Sequence, residues 1–373
     1  MSQSIRKFQK PAEAVKVFRG HLEGQKAIRL QDAYRNTPRS KLDQELRRIR
    51  QAIADDRKLS FEERGDKVVT PLSGQDRGLL ERAMLGYQTE GRLKSLENVP
   101  DVQELLDVLR INHFLSGLTS KPEAVVSGAE FRAATHELFR AVMPHFREFA
   151  TKREGNNWAN LNVGAALMLR AALGSAIPLW ESGIRNIGLL GIGRDEKTAK
   201  PDIFYWERKL KDPGNLDRVG LFEPMNASGG SLGRGVQWTV DQGVPDEKIV
   251  AVTVISVPQA IDELLMRFPG LRILTVAIDG GLNAKAFIED MGIGDFGDQY
   301  MQDLGVEEAL KLWVETEPGV LPMRKDGDVW VHDASLTEEE VHVIMKRTAQ
   351  IAAAHHAPEA SSLNGGSQIA PST

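Results

Sequence analysis

The chain has 373 residues, of which 41% are hydrophobic and 27% charged, and no cysteine; this excludes a disulfide framework, a thiolate metal site and a cysteine nucleophile, and fits a globular protein of a reducing compartment. No apolar run approaches the about 20 residues of a membrane span, and the N-terminus MSQSIRKFQKPAEAVKVF lacks the apolar centre of a signal peptide, so a cytoplasmic protein with no membrane partner is expected. The net charge of −5 is unevenly spread: residues 1–100 hold 21 Lys and Arg against 14 Asp and Glu, and the remainder holds 26 against 38.

In chain order, SKLDQELRRIRQ places Leu42, Leu46 and Ile49 at i, i+4 and i+7, the signature of a surface helix. A second helix, DRGLLERAMLGY, is expected after the breaker run Thr70 to Gly74. A third, DVQELLDVLRINHFLSGL, follows Pro100 with Asp101 in its first turn. Residues 1–108 therefore read as a charged, mainly helical extension without a catalytic constellation. Its basic surface reads most simply as a solvated helical face, and nucleic acid is not an expected partner.

From about residue 110 the texture changes. A helix at roughly 127–150 leads through Asn160 to Gly164 into the apolar stretch AALMLRAALGSAIPLW, and the β-like runs RNIGLLGI, DRVGLF, KIVAVTVISV and LRILTVAI then alternate with helical ones. Such alternation indicates an α/β fold with a mostly parallel sheet flanked by helices over 109–304, where ligands gather at the carboxyl ends of the strands. A C-terminal extension over 305–357 contains the amphipathic VEEALKLWVE, a hairpin around DGDVWVHD and a helix from Thr337 to about Ala354. The small, polar residues 358–373 read as a disordered tail.

The stretch carrying most chemical information runs from Val219 to Ser231. An apolar strand ends in the carboxylate of Glu223; the small-residue run through Asn226, Ala227, Ser228, Gly229, Gly230 and Ser231 follows, and a helix begins. Successive backbone N–H groups at a helix start form a nest for phosphate, while the same pattern also suits a tight β–α turn. The Lys-Ser/Thr pair of a Walker A loop is missing, which disfavours a nucleoside triphosphatase. His136-Glu137 is not a zinc motif, because Arg140 stands where the second histidine belongs.

The segment resembles the phosphoribosyl-diphosphate (PRPP) loop of uracil phosphoribosyltransferases, Asp-Pro-Met-Leu-Ala-Thr-Gly-Gly-Ser, with Pro224, Met225, Ala227, Gly229, Gly230 and Ser231 matching and Glu223, Asn226 and Ser228 departing. Three further stretches agree in order: Leu169 to Gly174, Gly193 to Pro201, and Ala277 to Asp298. The resemblance spans about 113–304 and implies a type I phosphoribosyltransferase fold acting as a homodimer. By it, Arg170, Arg194, Glu223, residues 226–231 and Asp295 would bind PRPP, with Asp295 and Arg194 closest to catalysis, and Mg²⁺ would arrive bound to the PRPP diphosphate. Phe287, Ile288, Gly294, Asp295 and Phe296 would line the nucleobase pocket. The implied reaction joins the phosphoribosyl group to a ring nitrogen of uracil or a uracil-like base, releasing pyrophosphate, as in pyrimidine salvage.

The base segment departs furthest from the family pattern. Where the family has Gly-Tyr-Ile-Val-Pro-Gly, this chain reads Ala286 to Gly292, with one extra residue, two carboxylates at Glu289 and Asp290, and no proline. Two alternatives stay open on that account: a transferase for a non-standard heterocycle, and a non-catalytic PRPP or nucleotide sensor with a basic RNA- or partner-binding arm.

Overall fold

The computed structural model describes residues 9–36, 38–59, 62–65, 67–118, 126–151, 157–194, 201–289, 291–301, 323–326 and 329–332. It divides into two units, Met1–Asp303 with Asp326–Val331, and Leu304–Lys325 with His332–Thr373; the second is described only at strand residues. Two short strands, Met323–Asp326 and Val329–His332, stand where the hairpin is expected. The amphipathic segment 306–315, the helix expected from Thr337 and the tail 358–373 lie outside the described residues.

The first unit is built on a sheet whose continuous apolar strands make it a buried, mostly parallel one. In chain order the strands are β1 (Leu93–Ser95), β2 (Val163–Leu169), β3 (Asn186–Arg194), β4 (Pro201–Arg208), β5 (Arg218–Phe222), β6 (Met225–Asn226), β7 (Ile249–Ser256) and β8 (Arg272–Ile278). They are ordered β1-β8-β7-β5-β2-β3-β4, with β6 also on β7. Every pairing is parallel except β3 with β4. β5, β7 and β8 are buried along their whole length.

The helices are α1 (Gln9–Asn36), α2 (Arg39–Asp56), α3 (Gly74–Thr89), α4 (Pro100–Leu118), α5 (Gly128–Thr151), α6 (Ala176–Glu181), α7 (Gly230–Asp241), α8 (Pro258–Arg267) and α9 (Phe296–Met301). None among the described residues is long and apolar enough to cross a membrane. Strand alternation sends successive side chains to opposite faces, and β5 shows what each face meets. A Cβ at Gly220 would lie 2.8 Å from the Phe146 ring of α5, and Phe222, on that same face, packs edge-to-face against Phe139 and Phe146. Leu221 points the other way, toward α7, where a Cβ at Gly235 would lie 2.7 Å from the Met168 sulfur. The sheet is thus covered on both faces.

The helices before residue 108 join the same unit. Leu46 and Ile49 are buried with Ala33, Leu79 and Leu80, and Leu42 is partly buried against them, as the spacing in α2 implies. Polar groups then bind this cluster to the sheet layer: Arg50 donates to both carboxylate oxygens of buried Asp262 on α8, at 2.7 and 2.8 Å, and Tyr87 donates to the same group at 2.8 Å. β1 adds an edge strand against β8.

Two buried arginines close the end of α5. The last carbonyls of a helix lack intrahelical donors and carry its negative dipole end. Arg272 donates to Phe149 O (2.6 Å) and Ala150 O (3.2 Å), and Arg218 donates to Ala150 O (2.9 Å). Arg272→Met should therefore lower stability by about 1–3 kcal/mol, read as a reduced urea midpoint at unchanged slope.

On the same helix, His136 Nε2 lies 2.9 Å from the Tyr300 hydroxyl of α9. Burial, with help from the nearby Arg140 and Arg132 cations, holds the His136 imidazole down at about 4 against an ordinary 6.5, while Glu181 opposes this. Between those pH values the unfolded chain binds the extra proton and the folded one does not. This contribution is complete above pH 6.5 and is lost as pH falls toward 4. Urea denaturation at pH 5 and pH 7 should show a smaller difference for His136→Gln than for the parent chain.

Candidate active site

The site is assembled where the parallel strands end. Leu167 of β2 pairs with Phe222 of β5, so Arg170 and Glu223 leave adjacent strands at the same edge of the sheet. β3 delivers the backbone of Arg194 to that edge, opposite Pro201; the Arg194 side chain and loop 195–200 lie outside the described residues.

Glu223 is buried, its N–H bonded to Val252 O at 3.1 Å. Pro224 O accepts from Val254 and Ile255, both at 2.9 Å, and β6 runs beside β7. Asn226 is buried and donates through Nδ2 to Ser256 Oγ at 3.2 Å; its Oδ1 has no hydrogen-bond partner among the described residues. Ala227 and Ser228 are half-buried. Gly229 then turns the chain at φ +76° as the N-cap of α7, a conformation in which a side chain is strained. Beyond it, Gly230 and Ser231 open the first turn of α7, whose N–H groups have no carbonyl of their own helix to bind. Residues 226–231 are therefore gathered as a main-chain cradle at a helix N-terminus, and the buried Glu223 follows the last residue of β5, the strand that leads into it.

Arg170 follows a cis peptide at Leu169 and pairs through Nη2 with Asp298 Oδ1 of α9 at 2.8 Å. Asp295 is exposed, and its Oδ1 accepts the Asp298 N–H at 2.8 Å, so it caps α9. A Cβ at Gly297 would lie 3.4 Å from Asp295 Oδ1 and 3.9 Å from Arg170 Cβ. Arg170, Asp295 and Asp298 are thus neighbours.

The expected base-binding residues divide by burial. The segment after β8 folds back on itself, with Leu282 bridged to Ile288 and Asn283 N–H bonded to Phe287 O at 2.9 Å. Ile288 is buried within this fold and Phe287 is 65% exposed at its turn. Gly294 is exposed at φ +82°. Phe296 packs edge-to-face on Phe131 with ring centroids 5.1 Å apart and is 1% exposed, which makes its ring a core element. Asp290 lies outside the described residues.

Three further residues meet here: Asp279 falls within the family-like stretch but has no role assigned from the sequence, and Arg110 and His113 are not singled out by it. Asp279, at the carboxyl end of β8, is buried and accepts from Arg110 Nη2 at 2.7 and 3.0 Å and from the Gly292 N–H at 3.0 Å. Burial pushes its carboxyl above the usual range, opposed by Arg110. His113, one turn beyond Arg110, lies against the base segment, since a Cβ at Gly292 or Gly294 would come within 3.1 or 3.2 Å of its ring. Burial, reinforced by Arg110, holds the His113 imidazole below its ordinary value, with Asp279 opposing.

The sequence model of the uracil phosphoribosyltransferase family matches residues 116–302, half of the chain. Uracil phosphoribosyltransferase of Lachancea kluyveri is 37% identical over 126 residues, 32% of this chain and 57% of that protein. The Corynebacterium glutamicum (strain R) enzyme of the same name is 31% identical over 208 residues, 52% of this chain and 96% of that protein. The AQ2163 protein from Aquifex aeolicus, a solved structure, is similar at a TM-score of 0.45 and 22% identity over 56% of this chain and 97% of its own. The chain spans a little over half the length of the Lachancea kluyveri relative it matches. The family model over half of the chain, together with a relative matched over nearly its full length, shows that the chain belongs to the uracil phosphoribosyltransferase family.

Proposed function

We propose that the protein transfers the 5-phosphoribosyl group of PRPP to a ring nitrogen of uracil, forming a nucleoside 5'-monophosphate and pyrophosphate. The observation that carries this reading is the main-chain cradle at 226–231 beside Glu223, on the strand next to the one that presents Arg170. A helix N-terminus with successive amides suits the 5-phosphate. Glu223, at the end of the strand that leads into the cradle, supplies acceptors for the ribose hydroxyls. Arg170 and Arg194 suit the diphosphate, since a guanidinium offers several donors and keeps its charge.

In the proposed reaction the C1–O bond to the diphosphate breaks with its electron pair on the leaving group, and the ring nitrogen of the base closes on C1 as it loses its proton. Positioning and electrostatic stabilisation of the leaving group carry such a displacement, with no covalent enzyme intermediate. Mg²⁺ fits as an ion carried by the diphosphate, since it commonly needs only one or two carboxylates besides phosphate oxygens and water. Asp295 and Asp298, neighbours of Arg170, are the carboxylates that would serve; the ion would neutralise charge growing on the leaving pyrophosphate. The base is assigned to the segment from Phe287 to Phe296, whose main chain is the part offered, given the burial of Ile288 and Phe296. The same reading takes the protein as a cytoplasmic homodimer, supported by the sequence resemblance and the lack of cysteine. Nothing observed favours the non-standard heterocycle or the non-catalytic sensor, and of the two extra carboxylates Glu289 is already engaged by Arg77.

Mixing the protein with PRPP, Mg²⁺ and uracil should release pyrophosphate and form the nucleotide. Glu223→Ala should lower kcat/KM by about a hundredfold, the scale of losing a positioned polar group at a reacting centre. Absence of pyrophosphate with uracil and with a panel of other pyrimidines, purines and azoles would overturn the assignment.

A further inference from the structure

Both halves of the candidate site are touched by residues that precede the segment matched by the family model. Arg57, at the end of α2, donates through Nη2 to the carbonyl of Ser228 at 2.7 Å, and its Nη1 pairs with Glu263 of α8. Ser228 is the residue before Gly229 in the phosphate cradle. In a trans peptide the C=O and the following N–H point in opposite directions. A cation that fixes the Ser228 carbonyl therefore also fixes where the Gly229 amide is aimed, and by polarising the peptide it strengthens that amide as a donor.

The second contact is made by α3. Arg77 pairs with Glu289 of the base segment, and its guanidinium lies against Gly281, where a Cβ would come 3.0 Å from Nε. Gly281 O in turn accepts the Glu289 N–H at 2.8 Å. The loop between α2 and α3 holds the far end of the same segment, with the N–H groups of Val68 and Val69 reaching Ala284 O at 2.8 and 3.4 Å.

We propose that this N-terminal region is a working part of the substrate site, in which Arg57 is a positioning residue for the phosphate cradle and Arg77, through Glu289, a positioning residue for the base segment. The proposal rests on the phosphoribosyl-transfer reading. It gives the basic region a role beyond covering the sheet, because its charge is spent at two separate points, each facing a different substrate. A region that merely stabilised the fold would not divide its effects between PRPP and the base.

The test is steady-state kinetics on full-length Arg57→Met, Arg57→Lys and Arg77→Met proteins, paired with hydrogen exchange of the substrate-free proteins over 225–232 and 281–289. The KM for PRPP should rise about tenfold in Arg57→Met, the scale of one charge-assisted hydrogen bond, with the KM for uracil within twofold and faster exchange confined to 225–232. Arg57→Lys should recover part of the loss. Arg77→Met should show the converse: a raised KM for uracil, an unchanged KM for PRPP, and faster exchange over 281–289. Unchanged KM values, or a shared fall in kcat with no division between substrates, would overturn the proposal. A parent protein that forms no product overturns the transfer reading alone, and the exchange data then decide whether the two contacts hold their loops: faster exchange in the paired loop supports them, and unchanged exchange overturns them.

Discussion

A buried ion pair holds the segment after β8 in place beside the candidate site. Asp279 stands one residue beyond the last sheet position of β8, away from solvent, where an ionised carboxylate is costly unless it is paired and hydrogen-bonded. Arg110 meets both of its oxygens and the Gly292 amide meets one of them. One point therefore joins α4, the end of the sheet and the segment that follows. Because His113 lies one turn further along the same helix and packs against Gly292 and Gly294, the placement of α4 sets the path of the chain over the glycines that precede Asp295 and α9.

The other half of the site depends on the sheet itself. Parallel strands deliver their carboxyl ends to one edge, so residues distant in sequence arrive together without any long loop having to fold back. The register of β2 with β5 brings Arg170 and Glu223 out side by side, and α7 begins directly after the cradle. Small residues on the inner faces make this possible: Gly220 admits Phe146 on one side of the sheet and Gly235 admits Met168 on the other, which lets the flanking helices lie close enough to fix where the loops begin.

Much of this was legible in the sequence. Runs such as KIVAVTVISV and LRILTVAI are too apolar for any place but a strand buried on both faces, and Leu42, Leu46 and Ile49 announce the buried stripe of α2. Small residues after an apolar strand marked the cradle. What escaped has a common cause. The contacts of Arg57, Arg77, Arg110 and Asp279 join groups about 170 to 210 positions apart, and a charged residue carries no local mark of its distant partner. α1 escaped for a related reason: among its described residues Val15 and Ala33 are the buried apolar ones, and besides the Phe18–Phe114 ring contact and the packing of Ala33 it is held by ion pairs of Arg19, Lys26 and Arg29 with Asp107, Glu97 and Glu81, which leaves little hydrophobic periodicity. Nor did the sequence distinguish Phe287, which is exposed, from Phe296, which is core, because both are phenylalanines within one glycine-rich segment.

The three-residue strand β1 bears on how the chain behaves as a folding and colloidal object. It is the last strand on its side of the sheet, and it pairs with residues 273–275 of β8, a seven-residue strand of which five residues are aliphatic. Without it, β8 would present an open row of amides and carbonyls on a largely apolar strand, a template for pairing with other chains. β1 replaces that long edge with a short one whose Lys94 reaches out to Glu148. Strand β1 is in this sense an aggregation guard, placed before the family core and apart from the loops that form the candidate site.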